Sequence, residues 1–405
     1  MVKTYHARWV LPITSPPIYR GWVRVADDAT VLDFGGSQRL PKARDDEETI
    51  QFPNDAILPA LVNAHTHLEL SDVERPIGRP GMKLADWIGE VIRWRMSRPN
   101  DAAQDAMARG MDRCKRGGVG LVADISPADR AADRDDGSTT VLSFPEVIGL
   151  SPDRMAGFLR SAKQAASSGI SPHSPYSLRR DSIERVVDVA VEQQRTLAIH
   201  LAESPEERQL CFEGSGAMAD ALRRIGVYED GRFPWVVDGQ GSADWCDLIR
   251  LLARSPHTLI VHGNDLTDAE LRCIAEQRNE DNQPAMTIVY CPRTHAYFGH
   301  RPHPIDRALS LGVPVALGTD SLASNPDLSI WNEVRYLLAH RTDIALTDIL
   351  TAATAAGADA LSRPRRGRIA VGARPGLIRV GAAVDDLDRL RDVFAGGGEP
   401  RWVKE

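Results

Sequence analysis

Nothing in this chain pairs its cysteines. Cys114, Cys211, Cys246, Cys273 and Cys291 form a scattered, odd-numbered set without a CxxC, which fits reduced thiols and speaks against a disulfide framework or a zinc ribbon. Long apolar runs are missing too. No window approaches the ~18 to 20 residues needed to cross a bilayer. The N-terminus alternates polar and apolar residues, carries prolines and lacks the charged start and apolar core of a secretory leader. A soluble, cytoplasmic protein is expected. Lysine is scarce, six residues against 43 arginines, and a net charge of −7 with a pI near 5.9 argues against nucleic acid or an anionic membrane as partner. No GxGxxG follows the first apolar run, which argues against dinucleotide binding. Internal repeats and low-complexity segments are absent as well.

What is there is a regular alternation. Apolar, β-branched runs occupy residues 56–67, 118–126, 140–150, 169–177, 195–204, 257–265, 285–295 and 314–324. Between them lie amphipathic stretches such as "ADWIGEVIRWRM", "DSIERVVDVAVEQQ" and "LTDAELRCIAEQ". Strands that are apolar throughout are buried on both faces, and eight such strands alternating with helices predict an α/β fold, a (β/α)8 TIM-like barrel over residues 58–364. Residues 1–57 and 365–405 read as short strands and turns, and a small β-sandwich subdomain formed from both termini is expected. Two stretches, "KARDDEETI" (42–50) and residues 227–245, read as exposed insertions.

Chemically capable residues gather at the ends of these runs: His65 and His67, Asp124, Glu146, His173, His200 with Glu203, His262, His295 and Asp320. Barrel enzymes keep their active sites at the C-terminal ends of their strands. In "PALVNAHTHLEL" the two histidines stand at alternate positions, so a strand projects both to one face as a two-toothed clamp. "AIHLAES" adds His200 and Glu203, "IVHGND" adds His262 and "ALGTDSLAS" adds Asp320. Three neutral imidazoles and a carboxylate make a suitable shell for Zn²⁺ or Fe²⁺, with room left for a water. Trp87, Trp94 and Met96 stand at helical spacing and read as core, with Trp87 placed to line an entrance.

The ordered set HTH, HLAE, VHGND and GTDSLASN resembles the amidohydrolase superfamily, within it the mononuclear aminohydrolase branch of guanine, adenosine-type and aminodeoxyfutalosine deaminases and triazine hydrolases. The resemblance covers essentially the whole chain. It implies His65, His67, His200 and Asp320 as metal ligands, Glu203 and His262 with Asp320 as the acid–base machinery, and His173 of "SPHSPYSLR" as a substrate contact. Binuclear relatives bridge two metals with a carboxylated lysine on the fourth strand, and no lysine stands at a strand end here. One divalent ion is therefore expected, Zn²⁺ before Fe²⁺. The implied activity is hydrolytic deamination of a purine- or pyrimidine-like amine, nucleoside-type, such as aminodeoxyfutalosine or an adenosine derivative. A triazine-type chlorohydrolase or cyclic amidase is the alternative, and a catalytically inactive scaffold a third reading that the intact ligand set opposes. The partner is a small-molecule substrate, and the chain is compatible with a homodimer. Two segments depart from the family: "CPRTH", ending on His295, replaces CPxSN, and "GRIAVGARPGLIRV" replaces the usual entry into the last strands.

Overall fold

The computed structural model describes residues 2–39, 47–99, 102–149, 152–226, 228, 233 and 244–404. Eight parallel strands follow one another in chain order: β1 (Leu61–Thr66), β2 (Val119–Pro127), β3 (Thr140–Val147), β4 (Gly169–Pro172), β5 (Thr196–Leu201), β6 (Thr258–His262), β7 (Met286–Tyr290) and β8 (Val315–Leu317). Helices stand between them, among them Leu84–Ser97, Arg180–Glu192 and Asp268–Glu276, where the amphipathic stretches predicted them. A short strand, Arg134–Asp135, pairs antiparallel with β3.

The eight strands close almost completely into a barrel. Thr66, at the end of β1, bridges Asp320 beyond β8, and the amides of Thr319 and Asp320 both donate to the His65 carbonyl at 3.1 Å. Gly318 makes this approach feasible. A Cβ there would meet Cβ and the carbonyl oxygen of His65 at 2.9 Å and Sγ of Cys291 at 3.0 Å. The strands are buried on both faces, and two apolar clusters divide their residues by parity. Val62, Ala64, Leu121, Ala123, Leu142, Phe144, Leu259 and Val261 belong to one, and Val122, Val141 and Ile260 to the other. That double burial is why the strands read as continuous apolar runs.

The termini join in a separate seven-stranded sheet, in the order Arg401–Trp402, Leu377–Gly381, Glu47–Pro59, Val2–Val10, Gly21–Val25 and Val31–Gly36, with Ile18–Tyr19 paired to Val2–Val10. Glu47–Pro59 runs almost directly into β1, so this sheet anchors the strand that carries the histidine clamp. Here one expectation is corrected. Glu47 to Ile50, expected in an exposed insertion, lie in this strand, and Glu47 forms an ion pair with Arg24 at 2.8 Å with side chains only 2% and 7% exposed. A charge-rich stretch resembles a loop until a distant partner neutralises it. Residues 42–46 of that segment, and most of 227–243 of the second expected insertion, lie outside the described residues. All five cysteines are buried and free, and among the described residues no helix is long and apolar enough to cross a membrane.

Candidate metal centre and active site

His65 lies in β1, His67 just beyond it, His200 in β5, His262 at the end of β6 and Asp320 three residues past β8, so the barrel's closure gathers them at one mouth. Donor atoms of His65, His67 and Asp320 lie within 4.8 Å of one another, as do those of His65, His200 and His262. Oδ1 of Asp320 stands 3.7 Å from Nε2 of His65 and 3.6 Å from Nε2 of His67. Nε2 of His67 stands 3.3 Å from Nε2 of His200. Two nitrogens each bonded at about 2.0–2.1 Å to one tetrahedral ion would be roughly 3.3 Å apart, so this spacing suits a shared cation.

Two further observations fit a cation. Both ring nitrogens of His65 are buried without a hydrogen-bond partner. Unpaired buried polar atoms are uncommon in a folded interior, and a metal ion takes up such a lone pair. Nδ1 of His200 donates to the His173 carbonyl at 2.9 Å, which assigns the ring proton to Nδ1 and leaves Nε2 free to face the cluster. Burial, reinforced by neighbouring imidazoles, holds His67 and His200 well below the usual imidazole range, and burial does the same for His262. Neutral imidazole is the ligating form. Burial alone would raise Asp320, but the facing imidazoles of His65, His67 and His262 outweigh it and hold the carboxylate below its ordinary range.

Glu203 follows β5 and is 5% exposed. Its Oε1 stands 3.5 Å from Nε2 of His262. Burial first, then Asp320 and Glu207, raise its carboxyl well above the usual range. Glu203 also lines a cavity of about 270 Å³ with Met82, Lys83, Phe298, His300 and Arg301. Trp87, a candidate for the entrance, packs edge-on against Phe298 with ring centroids 5.2 Å apart. The backbone is strained around this mouth: Ala202, His262 and Asp320 adopt φ values of 54°, 70° and 56°. Each such left-handed non-glycine residue costs roughly 1–3 kcal/mol, and strain of this kind collects where side chains are held for function.

A family model for the amidohydrolase family matches residues 56–404. The chain belongs to the amidohydrolase family. Aminodeoxyfutalosine deaminase of Deinococcus radiodurans is 29% identical over 317 residues, covering 72% of this chain and 71% of the relative. Adenosine deaminase of Helicobacter pylori is 25% identical over 356 residues, covering 84% and 82%. The crystal structure of Helicobacter pylori aminofutalosine deaminase in complex with methylthio-coformycin superposes with a TM-score of 0.81 at 22% identity, over 98% of this chain and 97% of that one, a likeness of fold. Metal dependence goes with the family, and the histidine-rich cluster is where this amidohydrolase would hold its ion.

The structure also brings in residues that sequence reasoning missed. Ser324 Oγ donates to Oδ2 of Asp320 at 2.8 Å, and Asn325 Nδ2 donates to the Thr319 carbonyl at 2.8 Å and to Glu333 at 2.7 Å. These bonds fix the loop that carries Asp320. The amide of Glu203 donates to Glu207 at 2.7 Å, and Asn264 Nδ2 donates to the Glu203 carbonyl at 3.0 Å. In the sequence Ser324, Asn325 and Asn264 stand inside the GTDSLASN and VHGND motifs and Glu207 four residues past Glu203, but which group each would bond depends on the path of the loops. His295 does not join the cluster. It sits in the helix Pro292–Phe298 and its Nε2 donates to the Arg301 carbonyl at 2.8 Å. Asp124 is spent structurally, accepting from the Leu68 amide at 2.8 Å and from Ser126 Oγ at 2.6 Å.

Proposed function

We propose that this amidohydrolase is a mononuclear, metal-dependent hydrolytic deaminase of a purine- or pyrimidine-like amine, nucleoside-type, with aminodeoxyfutalosine or an adenosine derivative as the substrate to test first. In this reading residues 58–364 are the catalytic barrel, and residues 1–57 with 365–405 are the accessory subdomain. The observation that carries it is the position of Glu203: a buried carboxyl 3.5 Å from His262 of the imidazole–carboxylate cluster, in the wall of a cavity of about 270 Å³. The names of the curated relatives support the same reaction class.

His65, His67, His200 and Asp320 would hold one divalent ion, with Zn²⁺ the first expectation for a set of three nitrogens and one oxygen. Among the described residues no lysine lies on a barrel strand to bridge a second. Such an ion supplies Lewis acidity that lowers the pKa of a water from 15.7 to roughly 7. Glu203 gives its proton to the ring nitrogen next to the amine-bearing carbon, which makes that carbon electrophilic. His262, with Asp320, accepts the proton that the attacking water loses. The carbon–nitrogen bond then breaks, ammonia leaves with a returned proton, and the ring keeps the oxygen. His173 is the proposed substrate contact. The test is ammonia release from a panel of aminopurine and aminopyrimidine nucleosides, aminodeoxyfutalosine and adenosine first. Release from at least one is expected. No release from any of them, with turnover of triazine chlorides or cyclic amides instead, overturns the reading.

A further inference from the structure

Glu146 is the next-to-last residue of β3 and His173 follows β4, so neighbouring strands place the two side chains together. Nε2 of His173 stands 3.8 Å from Oε1 of Glu146, beyond hydrogen-bonding distance. The Glu146 side chain is 13% exposed, and its buried Oε1 meets no donor. Burial pushes this carboxyl up to about 7, as expected for an acid taken from water without a partner. Arg95 is the nearby cation, and its guanidinium is already engaged by Glu69.

The other nitrogen of His173 is accounted for. Ser177 Oγ and Ser174 Oγ lie 2.6 and 2.9 Å from Nδ1. With two hydroxyls facing it, Nδ1 is assigned as an acceptor, an assignment that leaves the ring proton on Nε2. His173 therefore presents an N–H beside the open acceptor of Glu146. The complementary edge of a ligand carries an acceptor with a donor next to it.

We propose that Glu146 is a specificity-determining residue that, with His173, reads an acceptor ring nitrogen flanked by an O–H or N–H donor. A purine nucleoside presents this edge where its sugar-side ring nitrogen lies beside a ribose hydroxyl, and a 2-aminopurine presents it through the amino group. The inference rests on the deaminase reading above. A buried acceptor left without its donor penalises the wrong substrate, so discrimination against the donor-less analogue is expected at tenfold or more.

The experiment compares kcat and KM for adenosine and 2′-deoxyadenosine, and for 2,6-diaminopurine and adenine, in the metal-loaded wild type, Glu146→Ala and Glu146→Gln. Wild type should favour the donor-bearing member of at least one pair by about tenfold or more, chiefly in KM, and the pair that responds identifies hydroxyl or amine as the group read. Glu146→Ala should turn over both members of that pair with equal kcat/KM, while Glu146→Gln, which retains an oxygen acceptor, should keep part of the preference. A purely structural role would lower both members alike with a matching loss of metal content or melting temperature. Wild type that deaminates without preferring either donor, or Glu146→Ala that keeps the full preference, overturns the proposal and leaves the deaminase reading standing. No deamination of any amine by wild type overturns both.

Discussion

Ser324 Oγ donates to Oδ2 of Asp320 at 2.8 Å, and this one bond turns Oδ1 toward Nε2 of His65 and His67. Ser324 is fully buried, and its hydroxyl also meets Thr294 Oγ1 at 3.0 Å. Groups that orient a ligating carboxylate typically contribute 10- to 100-fold in metal affinity. Ser324→Ala should therefore fold normally and bind Zn²⁺ about 10- to 100-fold more weakly in a competition titration with a chromophoric chelator. Unchanged affinity would show that Asp320 needs no such support.

The proposed ligands themselves make a second prediction. Purified protein should hold close to one divalent ion per chain by elemental analysis, and His65→Ala/His67→Ala should hold almost none. Both histidines are buried among the donor atoms that converge at the mouth. Two ions per chain, or full occupancy in the double variant, would remove this cluster as the single metal centre.

Glu203→Gln separates proton transfer from structure. Gln keeps the size and part of the hydrogen-bonding capacity of Glu and removes the titrating proton. Turnover should fall by about 10²- to 10⁴-fold with metal content and melting temperature unchanged. Activity within a few-fold of wild type would take Glu203 out of the mechanism.

Much of this was legible in the sequence because the barrel and its mouth are encoded locally. β5 and β6 are buried at every position, so they stand out as apolar runs, and His200 and His262 near their C-terminal ends stand out against them. His65 and His67 could be paired from strand period alone. Other features depend on contacts between segments far apart in the chain. Glu47 reads as a solvated charge until Arg24 is placed against it. Glu146 was visible as a strand end, but its facing of His173 follows from the parallel register of β3 and β4. The four residues of β4 and the three of β8 are shorter than their apolar runs, because ladder bonding stops where the chain turns into the site.

The last prediction concerns acid stability and His303. This side chain is 1% exposed, its ring stacks on Tyr290 with centroids 3.9 Å apart, and its Nε2 donates to the His262 carbonyl at 2.8 Å. Its Nδ1 is buried without a partner. Burial pushes the imidazole down to about 3, against an ordinary 6.5. The sign follows from linkage: below pH 6.5 the unfolded chain binds a proton that the folded chain refuses, so stability is full above 6.5 and is lost as the pH falls toward 3. The loss is about 1.4 kcal/mol per pH unit for one such group, or about 2 kcal/mol between pH 6.5 and 5. His303→Gln retains a side-chain N–H for the His262 carbonyl and removes the titration. Urea unfolding of both proteins at pH 6.5 and 5, with metal present throughout, should show the variant losing about 2 kcal/mol less than wild type over that interval. The histidines proposed as metal ligands are the same in both proteins, so the difference isolates His303. Equal losses in the two proteins would mean that His303 is protonated in the fold at pH 5, against its burial and its unpaired Nδ1.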